Sequence, residues 1–134
     1  MLFTKSTAYA LQALIELSKY DKPIDVTTIS EKTAIPKPFL AKLLQNLSRN
    51  GFVYSFKGIN GGFVLAKNPK EIKLLDIFKN IEDKDTLVFY CSKSKDDCTR
   101  NRGSICELQP FFEKMEDEIA IILDKYTLAD FIRN

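Results

Sequence analysis

The chain has 134 residues, the length of one domain or of one small domain with an oligomerising extension, and its 45% hydrophobic and 28% charged residues exclude a disordered tail. It contains no histidine, which removes Ser-His-Asp and Cys-His nucleophile activation, histidine general bases and His-rich zinc sites. The formal net charge is only +2, but residues 1–70 hold 10 Lys and Arg against 4 Asp and Glu, whereas residues 71–134 hold 10 against 14.

At the N-terminus, Met1-Leu2-Phe3-Thr4-Lys5-Ser6 lacks the apolar region of a signal peptide, and no later apolar run reaches the ~18 residues of a membrane span. A cytoplasmic protein with no membrane partner is expected. From Thr4 to about Tyr20, Ala8, Leu11, Leu14, Ile15 and Leu17 fall at helical spacing and predict an amphipathic first helix. Asp21-Lys22-Pro23 stops it, Ile24–Val26 reads as a short extended piece, and Thr27 or Thr28 can cap a second helix ending near Thr33, with Glu31 in capping-box position relative to Thr28. Prolines at 36 and 38 are tolerated only in a turn and a first helical turn, so the third helix starts near Pro36. Its buried stripe is Leu40, Leu43, Leu44 and Leu47, its outer face carries Lys37, Lys42, Gln45 and Arg49, and Asn50-Gly51 ends it. Two helices joined by a short turn, the second basic on its outer face, form a helix-turn-helix pattern.

Phe52–Phe56 and Phe63–Leu65 are rich in strand formers and flank Lys57-Gly58-Ile59-Asn60-Gly61-Gly62, which predicts a hairpin around the Asn60-Gly61 turn. Directly after a helix-turn-helix, such a hairpin is a wing able to press its backbone against DNA. Taken alone, the outer face of the third helix could be a solvated surface and the hairpin an ordinary turn; their adjacency favours an interface. The basic front half and acidic back half agree with a nucleic-acid-binding module followed by a sensing or dimerising segment. A fourth helix is expected from Leu74 to Glu82.

After the apolar segment Thr86–Tyr90, the polar loop from Cys91 to Cys106 contains all three cysteines. Six residues separate Cys91 from Cys98 and seven separate Cys98 from Cys106, unlike the tight Cys-x-x-Cys knuckle of structural zinc. Three thiolates at wider spacing suit a cluster completed by a fourth, non-cysteine donor; inert thiols and a redox-switching disulfide remain open. From Glu107 to about Tyr126, Leu108, Phe111 or Phe112, Met115, Ile119, Ile122 and Tyr126 alternate at three and four, as in a coiled-coil seam. The expected fold is mainly α with a small β-hairpin wing: a winged helix-turn-helix over residues 1–82, a cysteine-bearing sensor loop over 83–106, and a long dimerisation helix with a tail over 107–134.

The order of these parts resembles the Rrf-type winged-helix transcription regulators, the family that includes the iron-sulfur regulator IscR, the nitric-oxide-responsive repressor NsrR and the iron regulator RirA. The resemblance runs nearly end to end. It is carried by Leu2-Phe3-Thr4-Lys5-Ser6-Thr7-Ala8-Tyr9-Ala10-Leu11, by Ile35-Pro36-Lys37-Pro38-Phe39-Leu40-Ala41-Lys42-Leu43-Leu44, by the wing segment Gly51-Phe52-Val53-Tyr54-Ser55-Phe56-Lys57-Gly58-Ile59-Asn60-Gly61-Gly62-Phe63-Val64-Leu65-Ala66, by the three-cysteine loop, and by Thr127-Leu128-Ala129-Asp130.

The resemblance implies a homodimeric repressor or activator of transcription, not an enzyme, whose affinity for a double-stranded DNA operator is controlled by an iron-sulfur cluster (2Fe-2S or 4Fe-4S) sensing iron, redox state or nitric oxide. Cys91, Cys98 and Cys106 take the places of the cluster ligands. Lys57 takes the place of the wing's minor-groove residue, where arginine is usual, with Gly58, Asn60 and Gly61 around it. Lys37, Pro38, Phe39 and Lys42 lie where the major groove is read, followed along the helix by Gln45 and Arg49. The two prolines and Ala41 replace polar or acidic residues, so the operator sequence does not carry over. The family's fourth cluster ligand is a histidine three residues after the last cysteine in one branch, where this chain has Gln109, or an aspartate in the first helix in another, where it has Ala8. Glu107, Asp96, Asp97, water or a small thiol could serve instead. The rival readings are a cluster-free winged-helix regulator controlled by thiol oxidation or by a protein or metabolite partner, and a metal or cluster carrier that does not bind DNA.

Overall fold

The computed structural model describes residues 2–83 and 86–132. Three helices, α1 (Lys5–Leu17), α2 (Val26–Thr33) and α3 (Lys37–Arg49), precede the strands β1 (Val53–Phe56) and β2 (Gly62–Leu65), and α4 (Leu74–Glu82) and α5 (Gln109–Lys125) follow. Ala10, Ala13, Leu14 and Leu17 of α1 meet Ile29 of α2 and all four leucines of the α3 stripe in one buried core. This is the winged helix-turn-helix read from the sequence, followed by the long helix.

The second helix begins earlier than its threonines indicate. Asp25, not Thr27 or Thr28, is its cap: Thr28 N–H donates to Asp25 Oδ1 at 2.9 Å, and the Thr28 hydrogen bonds hold the Asp25 carboxyl below its ordinary pKa. A carboxylate three residues upstream satisfies the Thr28 amide and starts the helix at Val26, which places both threonines inside its first turn. The turn into α3 places Ala34 at φ 59°, and Ser30 Oγ donates across it to Ile35 O at 2.6 Å. At the other end of α3, Gly51 adopts φ 81°, Gly51 N–H donates to Ser48 O and Phe52 N–H to Leu47 O, and Leu47 and Phe52 are both buried. These are the paired bonds and the apolar contact that stop a helix and redirect the chain, here straight into β1.

The two strands pair antiparallel, Val53 opposite Leu65 and Phe56 opposite Gly62. The turn is wider than an Asn-Gly hairpin: Gly61 N–H donates to Gly58 O at 3.0 Å, so Ile59 and Asn60 are the central residues. Gly58 supplies the positive φ, at 104°, and Asn60 is not in the left-handed region that an Asn-Gly turn demands. Gly62, at φ 145°, lets the hairpin close on the chain before α2; a Cβ there would lie 2.3 Å from Ile24 O. Ile24 and Phe63 exchange backbone hydrogen bonds at 2.9 and 2.8 Å, tying the base of the wing to the α1–α2 link.

Glu82 closes α4 by accepting hydrogen bonds from Thr4 and Thr7 at the start of α1. Beyond α5 the chain returns to the α1–α3 core. Leu74 N–H donates to Tyr126 O and Leu128 N–H to Ile72 O, and Leu128, fully buried, joins the core of α1–α3. On α5 itself Glu116 and Leu123 face inward, while Phe111, Met115 and Ile122, with Leu108 before the helix and Tyr126 after it, are exposed. Among the described residues, no helix is long and apolar enough to cross a membrane.

Candidate functional site

Two surfaces carry the residues singled out from the sequence. On α3, Pro38, Lys42, Gln45 and Arg49 follow one another at intervals of four, three and four, and all are exposed, as is Lys37 in the first turn. Burial of the opposite stripe turns this face to solvent. Phe39 is also exposed in part, but its ring meets Tyr9 of α1 edge-on, centroids 5.4 Å apart. Lys57, Gly58 and Asn60 are exposed at the wing and Gly61 is half-buried, with Ile59 fully exposed between them. The Schellman-type turn at Gly51 sets the wing directly after α3.

The cysteines form the second site. Cys91 is buried, Cys98 and Cys106 are half-buried, and all three are free thiols. They line a single cavity of about 50 Å³ together with Phe89, Tyr90, Arg100, Gly103, Leu108, Gln109 and Phe112. Packing from three sides makes it: Phe89 lies 5.5 Å from Phe112 of α5, Tyr90 OH hydrogen-bonds Thr99 Oγ1 at 3.0 Å, and Gly103 crosses Lys95 so closely that a Cβ would lie 1.7 Å from the Lys95 carbonyl oxygen. Cys98 Sγ accepts Arg102 N–H at 3.4 Å, and backbone hydrogen bonds from Arg102 and then Arg100 hold its thiol below the ordinary value.

Asp96, Asp97 and Glu107 are exposed and are not among the residues lining this cavity. Gln109 is, and it is buried in the first turn of α5. The proximity of Arg100 to Cys98 is readable from their adjacency in the loop, whereas nothing in the sequence singles out Phe89 or Phe112 as neighbours of the cysteines. For Gly103 the signal was present, a glycine in a polar loop where one chain crosses another.

The donor set fits an iron-sulfur cluster in kind. Three thiols share one cavity, and N–H groups aimed at sulfur are the contacts that stabilise thiolates bound to iron. Among the described residues no three Cys, Asp or Glu side chains converge closely enough to hold a single ion.

The Rrf2 family model, described as an iron-dependent transcriptional regulator, matches residues 3–134. The chain is 31% identical to the HTH-type transcriptional regulator NsrR of Bacillus licheniformis over 136 residues, covering all of this chain and 94% of that one. Among solved structures it resembles T. potens IscR, with a TM-score of 0.69 and 27% identity over 96% of this chain and 84% of that one. CymR, the global cysteine regulator of B. subtilis, is similar with a TM-score of 0.72 and 27% identity over 96% and 94% of the two chains.

Proposed function

Since the chain belongs to the Rrf2 family of transcriptional regulators, we propose that it acts as a homodimer whose affinity for operator DNA is set by an iron-sulfur cluster held by Cys91, Cys98 and Cys106. As a member of that family it is a DNA-binding regulator and not an enzyme. In this reading residues 1–82 bind DNA, 83–106 sense and 107–134 dimerise. Lys37, Pro38, Phe39, Lys42, Gln45 and Arg49 face the major groove, and Lys57 with Gly58, Asn60 and Gly61 meets the minor groove or its phosphates. The exposed apolar seam of α5 is the face for the second copy, which would space two reading heads about one helical turn apart.

The observation that carries the sensing half is the shared cavity of the three thiols at the foot of α5. A bound cluster supplies a redox- and ligand-sensitive iron centre. The chain's own residues supply the response: Glu116 of α5 holds the backbone of Leu87 and Val88, and Glu82 of α4 holds Thr7 of α1. A change in the cysteine loop therefore has packed elements to act on between it and α3.

A second reading, a cluster-free thiol switch, is favoured by the free state of all three cysteines, by the thiolate-promoting surroundings of Cys98 and by the similarity to a cysteine regulator. Iron and acid-labile sulfide per chain in anaerobically purified protein decide between them. Matching amounts of both that bleach in air support the cluster; neither, after anaerobic reconstitution, supports the switch and leaves DNA binding standing.

A further inference from the structure

We infer that Ile59, at the tip of the wing, is a wedge that enters between adjacent base pairs from the minor groove and kinks the operator there. This rests on the reading of the wing as a minor-groove element and is independent of the cluster.

Ile59 is the most exposed large hydrophobic side chain among the described residues, at 103% against 66% for Ile105 and Phe111. A lone exposed aliphatic is ordinary and by itself carries nothing. Its position is not ordinary. Ile59 is a central residue of the turn that Gly61 N–H closes on Gly58 O at 3.0 Å, a place where glycine, asparagine, aspartate, serine or proline each helps the backbone. A β-branched aliphatic supplies neither a positive φ nor a side-chain hydrogen bond there, and this one packs on nothing. Neither turn chemistry nor the core accounts for it, which leaves a contact outside this chain.

Shape, stiffness and charge fit that contact to DNA. The tip is slender, because Gly58 and Gly61 flank Ile59 and Asn60 without side chains, as a groove about 6 Å wide requires. It is braced from behind: Gly62 lies against Ile24, the Ile24–Phe63 hydrogen bonds tie the base of the hairpin to the α1–α2 link, and Phe63 is buried. Branching at Cβ restricts χ1 of the isoleucine itself, and a wedge must resist the stack it separates. Residues 50–69 carry Lys57 and Lys67 and no Asp or Glu, so nothing on the wing repels phosphate. Lys57 can hold a phosphate and Asn60 can donate to the acceptors of an A·T pair while Ile59 enters the stack. Apolar side chains used in this way unstack a base step and bend the duplex by about 20–90°. A protein interface needs far more apolar area than one isoleucine offers, whereas one side chain suffices to open a step. The step entered is expected to be pyrimidine–purine, the kind that unstacks most easily.

The test uses full-length protein and a duplex recovered by selection, with 2-aminopurine replacing each adenine of the flanks in turn and a pair of dyes at the two ends to report bending. Wild type is expected to raise 2-aminopurine fluorescence about 2-fold or more at one step of each flank and to bring the ends closer. Ile59→Ser is expected to lose both effects with an unchanged melting temperature, because the side chain packs on nothing, and Ile59→Leu to keep both. Lys57→Ala, read at saturating protein, is expected to bind more weakly yet keep the fluorescence rise. A rise and a bend retained in Ile59→Ser, or no unstacked step in the wild-type complex, would overturn the wedge while leaving the wing on the duplex. Wild-type affinity in both Lys57→Ala and Ile59→Ser would overturn the wing as an interface, and the wedge with it.

Discussion

Glu116 of α5 accepts both Leu87 N–H, at 2.6 and 2.9 Å to its two oxygens, and Val88 N–H at 2.8 Å, with its side chain almost wholly buried. One carboxylate thus fixes the backbone just ahead of Cys91 to the middle of the long helix. Glu116→Ala removes the acceptor and leaves two amides without it, each at a cost of about 1–3 kcal/mol. Hydrogen exchange at Leu87 and Val88 should accelerate while protection in α3 is retained. Unchanged exchange at these two amides would show that the loop is held by other means.

The tail packs into the α1–α3 core, because Leu128 is fully buried among residues of those helices and its amide bonds Ile72 O at 2.8 Å. Leu128→Ala is expected to destabilise the protein by about 2–5 kcal/mol, as for other buried leucines. A denaturation midpoint equal to wild type would contradict that placement.

Lys57 is exposed at the wing and bonds no described residue, so Lys57→Ala should leave the melting temperature unchanged. Loss of one phosphate contact should weaken duplex binding across sequences and reduce the slope of log affinity against log salt by about one. Fluorescence anisotropy with a duplex recovered by selection measures both. An unaltered slope would remove Lys57 from the contact.

Cys98 accepts backbone N–H bonds from Arg102 and Arg100, which favour its thiolate and hold its pKa below the ordinary 9.0. In metal-free protein, the pH at which Cys98 alkylation reaches half its maximal rate should therefore be lower in the folded chain than in the urea-unfolded one. Mass spectrometry of iodoacetamide-treated protein gives the site-resolved rates. Equal midpoints would show that those amides do not act on the sulfur.

Much of this architecture was legible because it is written in local periodicity. The α3 stripe of Leu40, Leu43, Leu44 and Leu47 is buried as its spacing requires, and Leu74 and Glu82 bound α4 as read. Local chemistry with two solutions was less legible. Thr28 and Glu31 mimic a capping box, yet Asp25 caps the helix three residues earlier through the Thr28 amide, and Asn60-Gly61 mimics a tight hairpin turn although Gly58 opens a wider one. What depends on distant pairing was not legible at all. Thr127 bridges Lys73 across more than fifty residues, and Phe89, just ahead of the cysteine loop, packs on Phe112 of α5.

Control of DNA binding by the cysteine site is read from the duplex affinity of anaerobic protein with iron and sulfide bound, and again after both are removed by chelation, at one fixed salt concentration. A difference of about 10-fold or more, within the range of allosteric coupling, is the expected result. Equal affinities for a chain shown to carry the cluster in one sample and not in the other would contradict the account.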